Sequence, residues 1–256
     1  MDAIALTLGP ITITWYAIFI ISAIIIGILL SLKEIEKHGI DKSLFYDIVF
    51  YLIIFGFLGA RTWYVLFNLD YYLQNPAEII AIWNGGLAIH GAIVAGGLYL
   101  WHVSKKLGLD FFNLTDIAVV PIILGQAIGR WGNFMNQEAH GPETTKEFLE
   151  NTLHLPDFIV NGMNIDGVYY HPTFLYESIW NFIGFIIILI MRKKYRFKYG
   201  TITGFYLIWY GFIRTIIEQL RTDALMLGPI RIAALTSFLM VIIGVIILFK
   251  KWREYE

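Results

Sequence analysis

The 256-residue chain is 57% hydrophobic and only 15% charged, with a mean hydropathy of +0.64 and a formal net charge of −1. A soluble domain of this length needs more charge to cover its surface, and nothing in the overall charge indicates nucleic-acid binding. The chain has no cysteine, which excludes a disulfide framework, a thiolate metal site and a cysteine nucleophile. Composition therefore predicts a membrane protein.

Seven apolar segments are each about as long as the roughly 20 residues that a helix needs to cross a bilayer. They cover residues 11–31, 44–67, 79–103, 114–134, 173–191, 200–220 and 231–249. The first is too long for a signal-peptide core and its polar flank follows it, so we interpret it as a retained helix. The pattern predicts an all-α membrane protein with seven transmembrane helices. We expect one polytopic membrane domain, residues 1–256, with residues 136–172 as a small extracytoplasmic head insertion.

Basic residues are distributed unevenly between the polar strips that separate these segments. One side has Lys146, Arg221 and Arg231. The other side has thirteen: Lys33, Lys37, Lys42, Lys105, Lys106, Arg192, Lys193, Lys194, Arg196, Lys198, Lys250, Lys251 and Arg253. Because lysine and arginine accumulate in cytoplasmic loops, this bias predicts a cytoplasmic C-terminus and an N-terminus on the outside.

The third apolar segment is rich in glycine. The stretch WNGGLAIHGAIVAGG, residues 83–97, contains five glycines and His90, a poor composition for a uniform helix. Irregular backbone at membrane depth is tolerated only where protein or a water-filled cavity covers it, so the segment is expected to line a cavity. His90 is then either a hydrogen-bonded packing residue or a general base.

Two pairs of small residues have the spacing of close helix contact, Gly56 with Ala60 and Gly125 with Gly129. We expect both pairs to be packing sites. No internal repeat is evident, which weakens the interpretation of the chain as an inverted-repeat transporter.

Polar residues in the fourth segment share one helix face. Gln126, Arg130, Asn133 and Gln137 follow the spacing i, i+4, i+7 and i+11. An arginine alone could reach for the membrane interface, but that does not explain the amides beside it. Since intramembrane polar clusters usually line a pathway or a site, the stripe predicts a functional surface.

The sixth segment has a second polar stripe. Tyr210, Arg214, Glu218 and Arg221 lie at i, i+4, i+8 and i+11, and the last position returns to within about 20° of the first. Glu218 either forms a structural ion pair with Arg214 or belongs to a site, because buried charges must be paired.

Three further residues in or beside apolar segments are candidates. Arg61 is a third arginine in such a segment. Glu177 closes the motif HPTFLYE, whose proline suits a helix start, and this carboxylate can pair with an arginine. Tyr16 belongs either to an interfacial aromatic belt or to a site.

Three arginines in a membrane cavity favour an anionic, lipid-like ligand, because guanidinium stays charged and binds phosphate through two parallel hydrogen bonds. The sequence has no G-x-S-x-G, no H-E-x-x-H and no P-loop. Nothing therefore indicates a nucleotide, a metal or another cofactor.

The stretch GRWGNFMNQEAHG, residues 129–141, closely resembles the signature of the bacterial prolipoprotein diacylglyceryl transferases. The matching positions are Arg130, Gly132, Asn133, Asn136, Glu138 and Gly141. Four further motifs occur in the family's order: the early WY, GLAIHG, HPTFLYE and YGFIRTIIEQLR. The resemblance therefore covers essentially the whole chain. HPTFLYE has phenylalanine where many members have glutamine, and LMLGPIRIAALTSFL follows one branch of the family; neither difference touches the arginines.

The resemblance implies an activity. Members transfer the diacylglyceryl group of phosphatidylglycerol to the thiol of the lipobox cysteine of a preprolipoprotein, forming a thioether and releasing glycerol 1-phosphate. It also implies seven membrane helices with an extracytoplasmic head, no metal or cofactor, and a location in the bacterial cytoplasmic membrane with the site towards the outer face. The implied partners are phosphatidylglycerol, the signal peptide with its lipobox cysteine and the membrane, not nucleic acid.

The resemblance further implies residue roles. A catalytic role falls to Tyr16, His90, Arg130, Tyr210 and Arg214. Contact with phosphatidylglycerol falls to Arg130, Asn133, Asn136, Glu138, Gly141, Glu218 and Arg221, and the argument from three arginines adds Arg61. The arginines suit the charge that builds on the leaving phosphate, and the thiol proton leaves either to His90 or because an arginine field lowers the thiol pKa.

The main alternative is a transporter of anions or anionic lipids with an arginine-lined cavity. It predicts a symmetric repeat and polar residues through to the cytoplasmic side, whereas these stripes gather near the outer ends of their helices. A second alternative, a non-catalytic lipid-binding scaffold, would tolerate the loss of His90 and gives no reason for two polar stripes.

Overall fold

The computed structural model describes residues 1–9, 11–82, 85–194, 197–222, 226–227 and 230–253. Residues 83–84 of the glycine-rich stretch and Arg196 of the basic strip lie outside this range. The helices are α1 (Trp15–Ile35), α2 (Lys42–Phe67), α3 (Leu69–Gln74), α4 (Ile89–Leu107), α5 (Phe111–Asn136), α6 (Asp157–Gly162), α7 (Thr173–Lys194), α8 (Thr201–Leu220) and α9 (Ile232–Arg253). The strands are β1 (Ile4–Leu8), β2 (Ile11–Thr14), β3 (Glu143–Thr144), β4 (Asn164–Ile165), β5 (Val168–Tyr170), β6 (Met226–Leu227) and β7 (Ile230–Arg231).

The predicted mostly helical membrane architecture is confirmed at the level of its apolar helices. Among the described residues, five helices are long and apolar enough to cross a membrane: α1 with its following turn, α2, α5, α7 and α9. Helices α4 and α8 have 19 and 20 residues and correspond to the third and sixth apolar segments, but they are not among those five. Seven crossings and their orientation therefore stay predictions.

Two segments begin differently from the prediction. The first apolar segment starts as a strand, because β2 pairs antiparallel with β1 and its sequence ITIT is rich in β-branched residues. The Thr14 hydroxyl oxygen then accepts a hydrogen bond from the Ala17 amide at 3.2 Å, which is how a threonine caps a helix start. In the third segment the helix starts only at Ile89, after Gly85 and Gly86 at φ +84° and +76°, so the expectation that this segment is not one uniform helix is confirmed. Its lining of a cavity stays a prediction.

The chain divides into two compact units, one formed by Met1–Ser31 with Asp116–Glu256 and the other by Leu32–Thr115. The first contains most of α1 and α5, the whole of α7, α8 and α9, and the segment between α5 and α7. The second contains α2, α3 and α4. The single-domain organisation stays a prediction.

In the first unit, α1 packs antiparallel to α5 along small residues. A Cβ placed on Gly125 would lie 3.7 Å from Ala23, and one on Gly129 would lie 3.5 Å from Ile20. The contact at the predicted pair Gly125 and Gly129 is thus confirmed. One turn further, a Cβ on Gly132 would overlap the ring of Tyr16, so the glycine lets this ring lie directly on the α5 backbone.

Helices α7 and α8 are joined by a reciprocal tryptophan pair. The indoles of Trp180 and Trp209 stack with centroids 4.5 Å apart, and each donates its N–H to the other's backbone carbonyl at 3.1 Å. The start of α8 is held by buried Asp116 of α5, whose carboxylate accepts from the Gly200 and Thr203 amides at 2.8 and 2.7 Å. A carboxylate at a helix N-terminus satisfies amides that the helix itself leaves unpaired.

Residues 137–172 form a small folded insertion between α5 and α7. Its sheet has the strand order β3-β5-β4, and α6 covers an apolar core. That core consists of Phe134, Leu149, Ile159, Val160, Met163 and Phe174. Since Phe134 and Phe174 belong to α5 and α7 and stack at 4.5 Å, the insertion is packed onto the ends of these two helices.

In the second unit, α2 and α4 cross where each helix has a glycine, Gly59 in α2 and Gly91 in α4. A Cβ on Gly59 would press on Ala95 and on the Gly91 carbonyl, and one on Gly91 would press on Gly59 and Trp63. At Gly56 a Cβ would meet nothing within 4 Å. The prediction of a packing contact is therefore wrong for Gly56, although its partner Ala60 is buried. Helix α2 contacts α4 at Gly59, three residues after Gly56.

The two α2 glycines give a matched test of this crossing. Gly59→Ala is expected to lower the free energy of unfolding by about 1–3 kcal/mol, because the added methyl overpacks the helix contact. Gly56→Ala is the control and should be neutral or slightly stabilising, since alanine is the better helix former. Denaturant unfolding in detergent measures both, and equal effects would contradict the assigned crossing point.

Candidate active site

The two predicted polar stripes meet at Glu177, a buried carboxylate of α7 that is 1% exposed. Arg130 of α5 donates from Nη2 to Glu177 Oε1 at 2.6 Å. Arg214 of α8 donates from Nη1 to Glu177 Oε2 at 3.2 Å. One carboxylate therefore joins three helices of the first unit, and it confirms the expectation that Glu177 pairs with an arginine.

A second buried carboxylate adjoins the same cluster. Glu218 lies one turn after Arg214 on α8 and is also 1% exposed. Its Oε2 is 2.8 Å from Arg214 Nη2, although this oxygen receives no hydrogen bond of good geometry from the described residues. The two arginines and the two glutamates cancel in formal charge, which is how a protein interior tolerates ions removed from water.

A hydrogen-bonded chain continues from Arg130 towards the insertion. Arg130 Nη1 donates to Asn133 Oδ1 at 3.0 Å, and Asn133 Nδ2 donates to Glu138 Oε1 at 2.8 Å. Asn136 Nδ2 donates to the same glutamate oxygen at 3.2 Å. The structure thus brings together four predicted site residues on a continuous polar path.

Helix α5 ends at Asn136, and the chain then turns sharply. Gln137 and Ala139 have φ values of +53° and +57°, conformations that non-glycine residues rarely adopt. The turn directs Gln137 away from the α5 stripe, and its Nε2 donates to the Gly162 and Asn164 carbonyls at 2.9 and 3.3 Å. The predicted stripe is therefore correct as far as Asn133 and wrong for Gln137, which fastens the insertion instead.

Gly141 has a packing role in this turn. Its amide donates to the His171 carbonyl at 3.0 Å, and a Cβ at this position would lie 2.8 Å from His171 Cβ. The Thr173 hydroxyl donates to the Ala139 carbonyl at 2.7 Å from the other side. Any side chain at Gly141 would displace His171 and Thr173 at the start of α7, and with them the helix that holds Glu177.

Two tyrosines of the first unit belong to the predicted site set. Tyr210, one turn before Arg214 on α8, lies close enough to Arg130, Arg214 and Glu177 to interact electrostatically with all three. Tyr16 lies on Gly132, two residues from Arg130 along α5, and is 38% exposed. Tyr210 thus adjoins the arginine cluster, whereas the contact that positions Tyr16 is with Gly132, about 200° around α5 from Arg130.

Arg61 belongs to the second unit, and its guanidinium donates hydrogen bonds to backbone carbonyls. Its Nε donates to Ile79 O at 2.8 Å, and its two Nη atoms donate to Glu78, Gly85 and Gly86 carbonyls at 2.5–2.9 Å. The guanidinium also lies over the Tyr72 ring, 5.2 Å from its centroid. Four of its five N–H donors thus hold the loop that precedes α4.

His90 and Arg221 complete the predicted set. His90 is the second residue of α4 in the second unit, and its half-buried ring stacks on Trp63 with centroids 6.4 Å apart. The adjacent Gly91 lies at the crossing of α2 and α4. Arg221 is the C-terminal cap residue of α8, and its carbonyl accepts from Arg231 Nη1 at 2.9 Å.

Glu177 is the residue that the predicted site set omits. It offered a usable signal, since a carboxylate within an apolar segment requires a partner. The sequence could not identify that partner, because Arg130 and Arg214 lie 47 and 37 positions away.

These features define a class of protein: a helical membrane protein in which two largely enclosed arginines share one buried carboxylate, beside a folded polar insertion. The family description "Prolipoprotein diacylglyceryl transferase" matches residues 3–250. The chain belongs to this family.

Individual relatives are similar over almost the full length. A protein of Bacillus cereus (strain 03BB102) is 51% identical over 251 residues, covering 98% of this chain and 92% of the relative. One of Bacillus anthracis (strain CDC 684 / NRRL 3495) is 52% identical over 255 residues with the same coverage, and one of Bacillus mycoides (strain KBAB4) is 51% identical. All three are named phosphatidylglycerol–prolipoprotein diacylglyceryl transferase.

The shared carboxylate predicts a large stability effect. Glu177→Gln is expected to lower the free energy of unfolding by roughly 3–5 kcal/mol, because it leaves an uncompensated buried charge among the arginines. Glu150→Gln makes the same chemical change in a partly exposed pair with Lys146 at 3.1 Å and should cost at most about 1 kcal/mol. Denaturant unfolding in detergent compares the two, and similar small losses would show that Glu177 does not hold the arginines.

Proposed function

We propose that this chain transfers the diacylglyceryl group of phosphatidylglycerol to the thiol of the lipobox cysteine of a preprolipoprotein. The products are a thioether and glycerol 1-phosphate. The observation that carries the proposal is the convergence of Arg130 and Arg214 on buried Glu177. Full-length similarity to relatives named for this reaction supports it independently.

The reaction requires charge stabilisation at a phosphate. The thiolate sulfur attacks the glycerol carbon that bears the phosphate, a C–S bond forms and the C–O bond breaks. The bonding electrons leave with the phosphate of glycerol 1-phosphate, so negative charge develops there. Arg130 and Arg214 are placed to stabilise that charge through guanidinium N–H groups that Glu177, Glu218 and Asn133 leave unused.

The other site residues take roles around these arginines. Glu177 acts as a positioning residue that keeps the two guanidinium groups together, and Tyr210 and Tyr16 take catalytic roles that rest on the family resemblance. Asn133, Asn136 and Glu138 contact the lipid headgroup along the polar path, with Glu218 and Arg221 on the α8 face. Arg61 and Gly141 hold backbone in place, and their contact with the lipid stays a prediction.

The thiol must also lose its proton. Because two glutamates already offset the two arginines, the cluster offers little net positive field to lower the thiol pKa. This favours His90 as the proton acceptor, an assignment that rests on the family resemblance and on imidazole chemistry.

We place the protein in the bacterial cytoplasmic membrane as one polytopic domain with seven crossings. The N-terminus and the insertion at residues 136–172 face outwards, and the C-terminus faces the cytoplasm. Support comes from the distribution of basic residues and from the polar path that runs from Arg130 to the insertion.

A peptide-mass experiment tests the activity. Purified protein is supplied with phosphatidylglycerol and a lipobox peptide, and the peptide gains the mass of a diacylglyceryl group. Arg130→Lys and Arg214→Lys are each expected to lower the rate by about 10²–10³, because lysine keeps the charge but not the forked donor geometry. Lys146→Ala, in a partly exposed ion pair, is the control and should retain the wild-type rate.

Folded wild-type protein that leaves the peptide unmodified would refute the transferase. If it instead moved phosphatidylglycerol between vesicles, the transporter alternative would replace it.

Two histidines of α4 test the proton acceptor. His90→Gln should lower the transfer rate by at least about 10², because a positioned general base is lost. Raising the pH should restore part of this rate, since a thiol with an ordinary pKa near 8.5 then ionises without help. His102→Gln alters an exposed histidine of the same helix and should have no effect. Equal behaviour of the two variants would show that the base lies elsewhere.

A further inference from the structure

A second group of buried polar side chains lies in the first unit, apart from the arginine cluster. Asn181 of α7 is 0% exposed, and neither its amide nitrogen nor its amide oxygen has a hydrogen-bond partner in the described part of the chain. The side-chain oxygen Oε1 of Gln126 on α5 also has no hydrogen-bond partner among the described residues. The Nε2 of the same side chain donates to the buried Tyr206 hydroxyl at 2.9 Å. Unpaired buried amides are costly and therefore call for a partner.

The three residues form an inner level of the helix bundle, one to two turns from the arginine cluster. Gln126 lies one turn before Arg130 on α5, and Asn181 lies one turn after Glu177 on α7. Tyr206 lies two turns before Arg214 on α8. Since α5 ends and α7 begins at the insertion, these positions are displaced from the arginine cluster away from the insertion.

Contacts on either side fix the depth of Asn181. One turn towards the insertion, the Ser178 hydroxyl donates to the Ala127 carbonyl of α5 at 2.8 Å. One turn the other way, a Cβ on Gly184 would press on Ile123 of α5 and on Trp209 of α8. Asn181 therefore lies level with residues 123–127 of α5, where Gln126 lies.

The chemistry of this inner level is polar but uncharged. Its spare donors are the two amide N–H groups of Asn181, the second N–H of Gln126 Nε2 and the O–H of Tyr206. A group that accepts hydrogen bonds without charge can enter such a site, whereas an unpaired ion cannot. Carboxylic ester carbonyls have this chemistry, and in a phosphatidylglycerol they lie a few bonds from the phosphate, a separation comparable with one helical turn of about 5.4 Å.

We infer that Asn181, with Tyr206 and Gln126, binds the ester carbonyls of the diacylglyceryl group while the phosphate lies on Arg130 and Arg214. This inference rests on the proposed function, because it names how the same lipid is held. Binding at both levels fixes the glycerol carbon between its two anchors, so that the carbon faces the incoming thiol. The inner level is thus a specificity-determining site for ester-linked lipid.

The test compares two phosphatidylglycerols with the same hydrocarbon chains, one ester-linked and one ether-linked. The ether lacks the carbonyl oxygens but keeps the phosphate and the headgroup. Wild-type protein in detergent should bind the ester lipid about tenfold more tightly, as expected for a hydrogen bond in a dry site. In Asn181→Leu that preference should disappear, with ether binding unchanged.

Two further variants keep the test decisive. Asn161→Leu makes the same substitution at an exposed position of α6 and should keep the tenfold preference. Tyr206→Phe removes one donor while keeping the ring, and it should reduce the preference even if Asn181→Leu fails to fold. Equal binding of the two lipids by wild type, or parallel weakening of both lipids by Asn181→Leu, would overturn the inference.

The binding assay separates this inference from the activity. Ester preference without peptide modification would refute the transferase and keep the inner site. Peptide modification without ester preference would refute the inner site and keep the transferase.

Discussion

The structure of the first unit depends on one shared carboxylate. Glu177 is almost fully buried, and it is the common partner of two arginines from two other helices. Removing three such ions from water costs several kcal/mol each, so the arrangement is tolerated only because every ion has a counter-ion at hydrogen-bond distance. This requirement fixes the rotation of α5, α7 and α8 about their own axes, since a small turn of any one helix would leave a charge unpaired.

The same pairing determines what the cluster can bind. With two glutamates beside two arginines, it has no net charge to attract an anion from a distance. Its capacity for phosphate lies in the remaining N–H groups of the guanidinium forks, which are held in a fixed mutual geometry before the ligand arrives. The cluster is therefore suited to recognising charge that develops during a reaction more than to accumulating anions, and this distinction favours a transferase over an anion pathway.

Sequence periodicity predicted the faces of the helices but not the contacts between them. The stripes at Arg130 and Arg214 followed from local spacing, and the Gly125–Gly129 contact followed from residue size. The prediction at Gly56 was wrong and Arg61 was unexpectedly bound to four carbonyls, because both outcomes depend on which residues of α4 and its preceding loop lie opposite. Gln137 left the predicted stripe because the helix ended one residue earlier, a boundary set by the packing of the insertion.

The polar content of this bundle is larger than stability alone requires. Apolar residues in place of a buried ionic cluster often leave a protein equally stable or more so. An amide such as Asn181, which has no hydrogen-bond partner in the part of the chain that the structure describes, is a net cost. Packing elsewhere compensates, through the tryptophan pair of α7 and α8 and the glycine-lined contact of α1 with α5. This bundle keeps charged groups at one level and unsatisfied neutral groups at the next, and we infer that it retains them to bind a ligand. The change from ionic to neutral polar groups along the helices follows the change from phosphate to ester along a phospholipid.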